Sequence, residues 1–146
     1  MAEHRIRLTW NDGGRPFTYE SYPREHQIAF KDGQDSITAS ASPAYRGDGR
    51  HGDPEDMRVA ALSSCHMLSF LAICTKKKVR VESYEDDAVG FLENEGGKLW
   101  ITRVILRPRV VCSADAQTLE QIHHLAHEAC FIANSVKTAV SVEHPA

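Results

Sequence analysis

Cys65, Cys74, Cys112 and Cys130 are the groups in this chain most able to do covalent chemistry. A cysteine can act as nucleophile, metal ligand or disulfide partner, and its spacing and surroundings narrow the choice. No C-x-x-C pair is present, which excludes a zinc ribbon and a thioredoxin-type motif. Cys65 sits within Ser63-Ser64-Cys65-His66, inside an apolar run. There it is either a small buried hydrophobe or a nucleophile. Cys74 and Cys112 read as structural. On one helix, Cys65 and Cys74 would face opposite sides at about 100° per residue and could not bond to each other.

Cys130 follows His123 and His127 at helical spacing, so the three would share one helix face. Imidazole and thiolate together suit zinc, which makes this a candidate metal site lacking a fourth ligand. A nucleophilic cysteine would need a cation nearby, because a free thiol titrates near ~8.5 and burial disfavours the thiolate. Arg24, Arg46, Arg50 and His66 are the candidates, and spacing alone does not choose among them.

The elements that must position these groups run in a clear order. His4–Trp10 alternates, with Ile6, Leu8 and Trp10 on one face. Phe17–Tyr22, His26–Phe30 and Ser36–Ala41 are predicted as further strands, with a turn at Asp32-Gly33. Residues 42–53 form a loop rich in Gly, Asp and Arg. Asp53 then caps a helix, Pro54 suits its first position, and Glu55 and Asp56 complement its dipole. The run Met57–Cys74 is apolar almost all round and predicts a helix buried on every side, closed by Lys76, Lys77 and Lys78. Val79–Leu92 and Leu99–Cys112 pair as a hairpin around Gly96-Gly97. Ser113 caps a second helix over Ala114–Val136, and Lys137–Glu143 is a last strand. Segregated strands and helices predict α+β with an antiparallel sheet in one domain spanning 1–146. One sheet cannot cover both faces of the apolar helix, so a second copy of the chain is the expected partner.

A net charge of −3 argues against a nucleic-acid partner. No membrane span is expected. The N-terminal residues MAEHRIRLTW lack the apolar core of a secretory signal, so the cytoplasm is the expected location.

Three segments together resemble the OsmC/Ohr family of hydroperoxide-reducing proteins. They are Asp53-Pro54-Glu55-Asp56 leading to Cys65, the surrounding Ala60-Ala61-Leu62-Ser63-Ser64-Cys65-His66, and His127-Glu128-Ala129-Cys130-Phe131-Ile132-Ala133-Asn134-Ser135. Tyr22-Pro23-Arg24-Glu25-His26 is similar to the Y-x-R-x-H stretch of the OsmC-like branch.

The resemblance implies an OsmC-like fold, with an antiparallel sheet packed on a long buried central helix and a second helix. It also implies an intertwined homodimer with shared active sites. Cys65 would be the peroxidatic thiolate, Cys130 the resolving thiol, Arg24 the cation beside Cys65, and Glu55 the carboxylate holding Arg24. The small-molecule substrate would be a bulky organic hydroperoxide rather than hydrogen peroxide, favoured by the apolar Met57, Leu62, Met67, Leu68 and Phe70 around the cysteine. The reductant would be an external dithiol of lipoyl type, with no cofactor or metal needed. The other readings are a non-enzymatic redox-sensing or ligand-binding stress protein, and metal binding through His123, His127 and Cys130.

Overall fold

A computed structural model describes residues 1–144 and divides the chain into two compact units, the second beginning at Arg58. In the first unit, β1 (Ile6–Thr9), β2 (His26–Phe30) and β3 (Asp35–Ala39) form an antiparallel sheet in that order. Ile28 lies opposite both Leu8 and Ile37, so the three share one sheet face. The turn between β2 and β3 holds Lys31, Asp32 and Gly33 at positive φ. The predicted strand over Phe17–Tyr22 is instead a looped turn. Ser21 and Tyr22 both donate backbone N–H groups to the Thr18 carbonyl, which diverts them from any ladder. In the loop that follows, a Cβ on Gly47 would fall 1.6 Å from the Ala41 carbonyl oxygen, so no other residue fits there.

Helix α1 (Pro54–Lys76) starts as the sequence predicts. The Asp53 carboxylate accepts from the Asp56 N–H at 2.8 Å, and the Asp56 carboxylate accepts from the Asp53 N–H at 3.1 Å. This is the reciprocal geometry of a capping box, with Asp in both roles. The C-terminus is a Schellman closure: Val79 N–H donates to the Cys74 carbonyl at 2.9 Å and Lys78 N–H to that of Thr75 at 3.2 Å. Lys78 occupies the left-handed position at φ 58°, where glycine is the usual residue.

Five strands and a second helix accompany α1 in the second unit. β4 (Val81–Asp86) pairs antiparallel with β7 (Pro108–Cys112), and β5 (Val89–Glu95) pairs antiparallel with β6 (Lys98–Leu106). The hairpin predicted from the sequence is present, turning at Gly96 and Gly97, but it is broken at a corner into two sheets. Asp86 makes the corner by accepting from the Arg107 N–H at 2.7 Å and from the Ser63 hydroxyl of α1 at 2.5 Å. Gly90 lets α1 approach β5, since a Cβ there would meet a Val59 methyl at 2.5 Å.

Helix α2 (Ala116–Ala129) then crosses over to β8 (Ala139–Val142), which runs parallel to β6. The sheets are antiparallel except for this one pair. α2 is capped by Asp115, whose side chain accepts from Thr118 N–H at 2.8 Å. The predicted cap, Ser113, instead accepts from the Arg80 N–H at 3.0 Å and ties the end of β7 to β4. α2 also ends seven residues before the predicted Val136, because the Asn134 amide donates to the Glu128 carbonyl and turns the chain aside.

α1 buries Leu62, His66, Phe70 and Cys74, one row at four-residue spacing. Leu62 joins Val104 and Leu106 of β6, while Phe70 and Cys74 join Ile122 and Ala126 of α2. Each large apolar side chain so buried stabilises the fold by about 1.5–3 kcal/mol. The expectation of burial on every side is not met within one chain. Ala61, Ser64, Leu68 and Ala72 form an exposed opposite face, with Leu68 60% accessible. The helix is also long and apolar enough, by length and composition, to cross a membrane, which the sequence reading did not anticipate. Its packed row marks it as a core helix.

Replacing Lys78 with glycine removes the left-handed strain at the end of α1 and is expected to raise stability by about 1 kcal/mol in urea denaturation. A loss of stability would show that contacts of the Lys78 side chain outweigh that strain.

Candidate active site

The predicted site residues fall into two groups. In the second unit, Cys65 is half-buried on α1 and Cys130 is fully buried at the C-cap of α2. Cys130 is therefore just off the helix, with φ −73° and ψ 111°, rather than on the face carrying His123 and His127. This turn brings its sulfur beside the Cys65 thiol, and it accepts from the Ala133 N–H at 3.4 Å. Burial pushes the Cys130 thiol up, the Ala133 N–H works against it, and the neighbouring Cys65 thiol adds to the rise. All four cysteines are free thiols. Of the apolar residues expected around Cys65, Leu62 and Phe70 belong to the core and Leu68 lies on the exposed face.

His66, next in sequence to Cys65, points into the core and not to the thiols. Its Nε2 lies 3.0 Å from Nδ1 of His123, with the two rings parallel to within 5°. His123 in turn stacks on Phe70 at 4.4 Å between centroids. The metal reading fails on this geometry, because His123 is taken up by His66 and Cys130 has left the helix. Among the described residues no group of three potential ligands is arranged to hold a metal ion. The sequence signal for the histidine pair was only that both fall on apolar helix faces.

The first unit contains Arg24 and Glu55, which line one cavity of about 690 Å³. Trp10, Phe17, Tyr22 and Tyr45 form much of its wall. The Arg24 guanidinium lies 3.5 Å from the Tyr22 ring centroid and 4.9 Å from that of Tyr19. Its two terminal nitrogens donate to the Tyr22 and Tyr19 carbonyls, both at 2.6 Å, and its Nε is buried without a partner. These carbonyls take the place that the sequence reading gave to Glu55. Burial pushes the Glu55 carboxyl up, with the neighbouring Asp53 and Asp56 adding to the rise. Arg46, another candidate cation, lies over the Tyr19 ring at 5.5 Å, and Arg50 is paired with Asp48 at 2.6 Å.

The fold is α+β, with a half-buried thiol on its central helix and a second, buried thiol at the end of α2. The chain belongs to the OsmC-like protein family, whose sequence model matches residues 47–144. It is similar in structure to an OsmC-like protein of unknown function from Vibrio cholerae, with 48% identity, 99% of this chain and 100% of that chain covered, and a TM-score of 0.92. The fold is also that of an organic hydroperoxide resistance protein OsmC from Legionella pneumophila, at 18% identity, covering 99% of this chain and 96% of that one with a TM-score of 0.69. An OsmC-like protein from Mycoplasma pneumoniae shares it at 12% identity, 99% and 96% coverage and a TM-score of 0.78. No curated protein matches the chain.

Burial holds His66 down to about 4 and His123 to about 3, against 6.5 for a free imidazole, with charge from neighbouring histidines adding to the effect. Both are therefore neutral in the native state between about pH 4 and 6.5, while the unfolded chain takes up protons there. Stability is then lost as pH falls through that window, by up to about 1.4 kcal/mol per pH unit for each group. Thermal melts are expected to show a lower Tm at pH 5 than at pH 7.5. A flat profile would contradict the buried neutral pair.

Proposed function

We propose that this protein is a thiol-dependent peroxidase that reduces organic hydroperoxides to alcohols through Cys65 and Cys130. The observation that carries the reading is the meeting of these two thiols where α1 passes the end of α2. It is supported by membership of a family that includes a protein named for organic hydroperoxide resistance.

In the first step the Cys65 thiolate attacks one peroxide oxygen. The O–O bond breaks, an S–O bond forms, and the alkoxide leaves as alcohol after taking a proton. Cys130 then attacks the Cys65 sulfenic acid. The two sulfurs join, and the sulfenic hydroxyl leaves as water with the Cys130 proton. A raised Cys130 suits this order, because a neutral thiol does not compete for peroxide. An external dithiol, of which a lipoyl group is one kind, reduces the disulfide by exchange and is itself oxidised. Arg24 is the proposed cation of the active site, held by the Tyr19 and Tyr22 carbonyls rather than by Glu55.

The working form is proposed to be a homodimer. The exposed Leu68 face of α1 and, separately, Ile6 and Leu8 of β1 at 59% and 58% accessible supply apolar surface for it. Sedimentation is expected to give a dimer at micromolar concentration; a folded monomer would remove that assembly.

One equivalent of cumene hydroperoxide added to reduced protein is expected to remove two mass units, mapped to a Cys65–Cys130 link and reversed by dithiol. Four unmodified thiols would end the peroxidase reading. Cys65→Ser should bring peroxide consumption to background, and Cys130→Ser should consume about one equivalent and stall. Arg24→Met should lower kcat/KM by tenfold or more, about 1.4 kcal/mol of barrier; an unchanged value would move its role to another cation.

A further inference from the structure

The two cysteines outside the candidate site are not scattered. Cys74 is buried in the last turn of α1, in the cluster formed with Phe70, Ile122 and Ala126. Cys112 is the last residue of β7 and is half-buried. Two features of the sheet aim Cys112 at that cluster. It lies directly opposite Val81 in the antiparallel ladder, and opposed residues project from the same face. It is also two residues beyond Val110, and alternation puts both on one side of the strand. Val81 and Val110 both pack against the Phe70–Cys74 cluster, whereas Val111, between Val110 and Cys112, is 55% accessible on the other face. The Schellman closure fixes the remaining side, since Val79 N–H is bonded to the Cys74 carbonyl at the point where the chain enters β4. Burial pushes the Cys74 thiol up, and Cys112 is close enough to raise it further.

We propose that Cys74 and Cys112 are a second redox pair, which closes to a reversible disulfide under peroxide and fastens the end of α1 to β7. Cys112, the more accessible of the two, reacts first: the O–O bond of hydrogen peroxide breaks, Cys112 becomes a sulfenic acid and water leaves. Cys74 then displaces the sulfenic hydroxyl, the S–S bond forms, and a second water carries away the Cys74 proton. Cys74 suits the second step, being buried and sheltered from oxidant. The oxidised link spans an end of the helix that carries Cys65 without touching the Cys65–Cys130 pair.

The test uses the full chain with Cys65→Ser and Cys130→Ser, so that only the second pair can react, and hydrogen peroxide as oxidant. A loss of two mass units mapped to a Cys74–Cys112 peptide, reversed by dithiothreitol, is expected. The oxidised form should melt higher by roughly 5 °C, because the cross-link restrains the unfolded chain. Two free thiols, or oxygen added to Cys112 without a cross-link, would overturn the proposal. So would a cross-link that lowers Tm, since the native positions would then not accommodate it. Peptide mapping of the oxidised wild-type chain, in which each disulfide gives its own linked peptide, decides the matter even where the double variant folds poorly. The outcome does not depend on peroxidase activity at Cys65.

Discussion

Burial of one side of α1 is the constraint from which the second unit is built. Leu62, His66, Phe70 and Cys74 recur every four residues, and that spacing makes a nearly straight ridge along a helix. The first part of the ridge packs on β6, the later part on α2 and the β4–β7 pair. Because the two clusters lie along one helix, the sheet cannot remain a single long hairpin. Asp86 takes the Arg107 N–H and the Ser63 hydroxyl at the corner, where β4 gives way to β5 and β6 to β7. A carboxylate accepting two hydrogen bonds is a strong enough anchor to hold such a break.

The same constraint sets the position of the thiols. With His66 turned into the core, its neighbour Cys65 falls at the edge of the packed face, half-buried rather than sealed. Cys130 reaches it only because α2 stops at Ala129. Had the helix continued, Cys130 would have stayed on the row of His123 and His127. The termination is chemical, with Asn134 donating to Glu128 and the Ala133 N–H turned to the sulfur of Cys130. A helix end thus does the work that a C-x-x-C motif does elsewhere, placing two sulfurs together from distant parts of the sequence. The buried His66–His123 pair is one polar element of this core, hydrogen-bonded across α1 and α2.

The first unit handles a cation in a different way. Arg24 is held by two carbonyls and two tyrosine rings, which fixes the guanidinium without spending a carboxylate on it. Glu55 lies in the same cavity, where burial pushes its carboxyl up. The segment Phe17–Tyr22 looks like a strand by composition, but its Phe17 and Tyr22 serve as wall of this cavity. Its backbone closes on itself at Thr18 to place them.

Much was legible in the sequence. The start of α1 could be read from Asp53, Pro54 and Asp56, because capping is decided within four residues of chain. The strands β1, β2 and β3 followed from alternation, and the Gly96-Gly97 turn from the need for positive φ. The family, too, could be recognised from two cysteine segments. Tertiary structure decided the rest, because it depends on partners far away in the sequence. An apolar helix does not say which of its faces a single chain covers, and α1 covers one. Histidine spacing suggested a metal site, but His123 is occupied by His66, 57 residues earlier in the chain. The end of α2 depended on Asn134 folding back, and the approach of Cys130 to Cys65 depended on how α1 meets α2. Local bonding fixes where elements begin; only packing between them fixes which side chains meet.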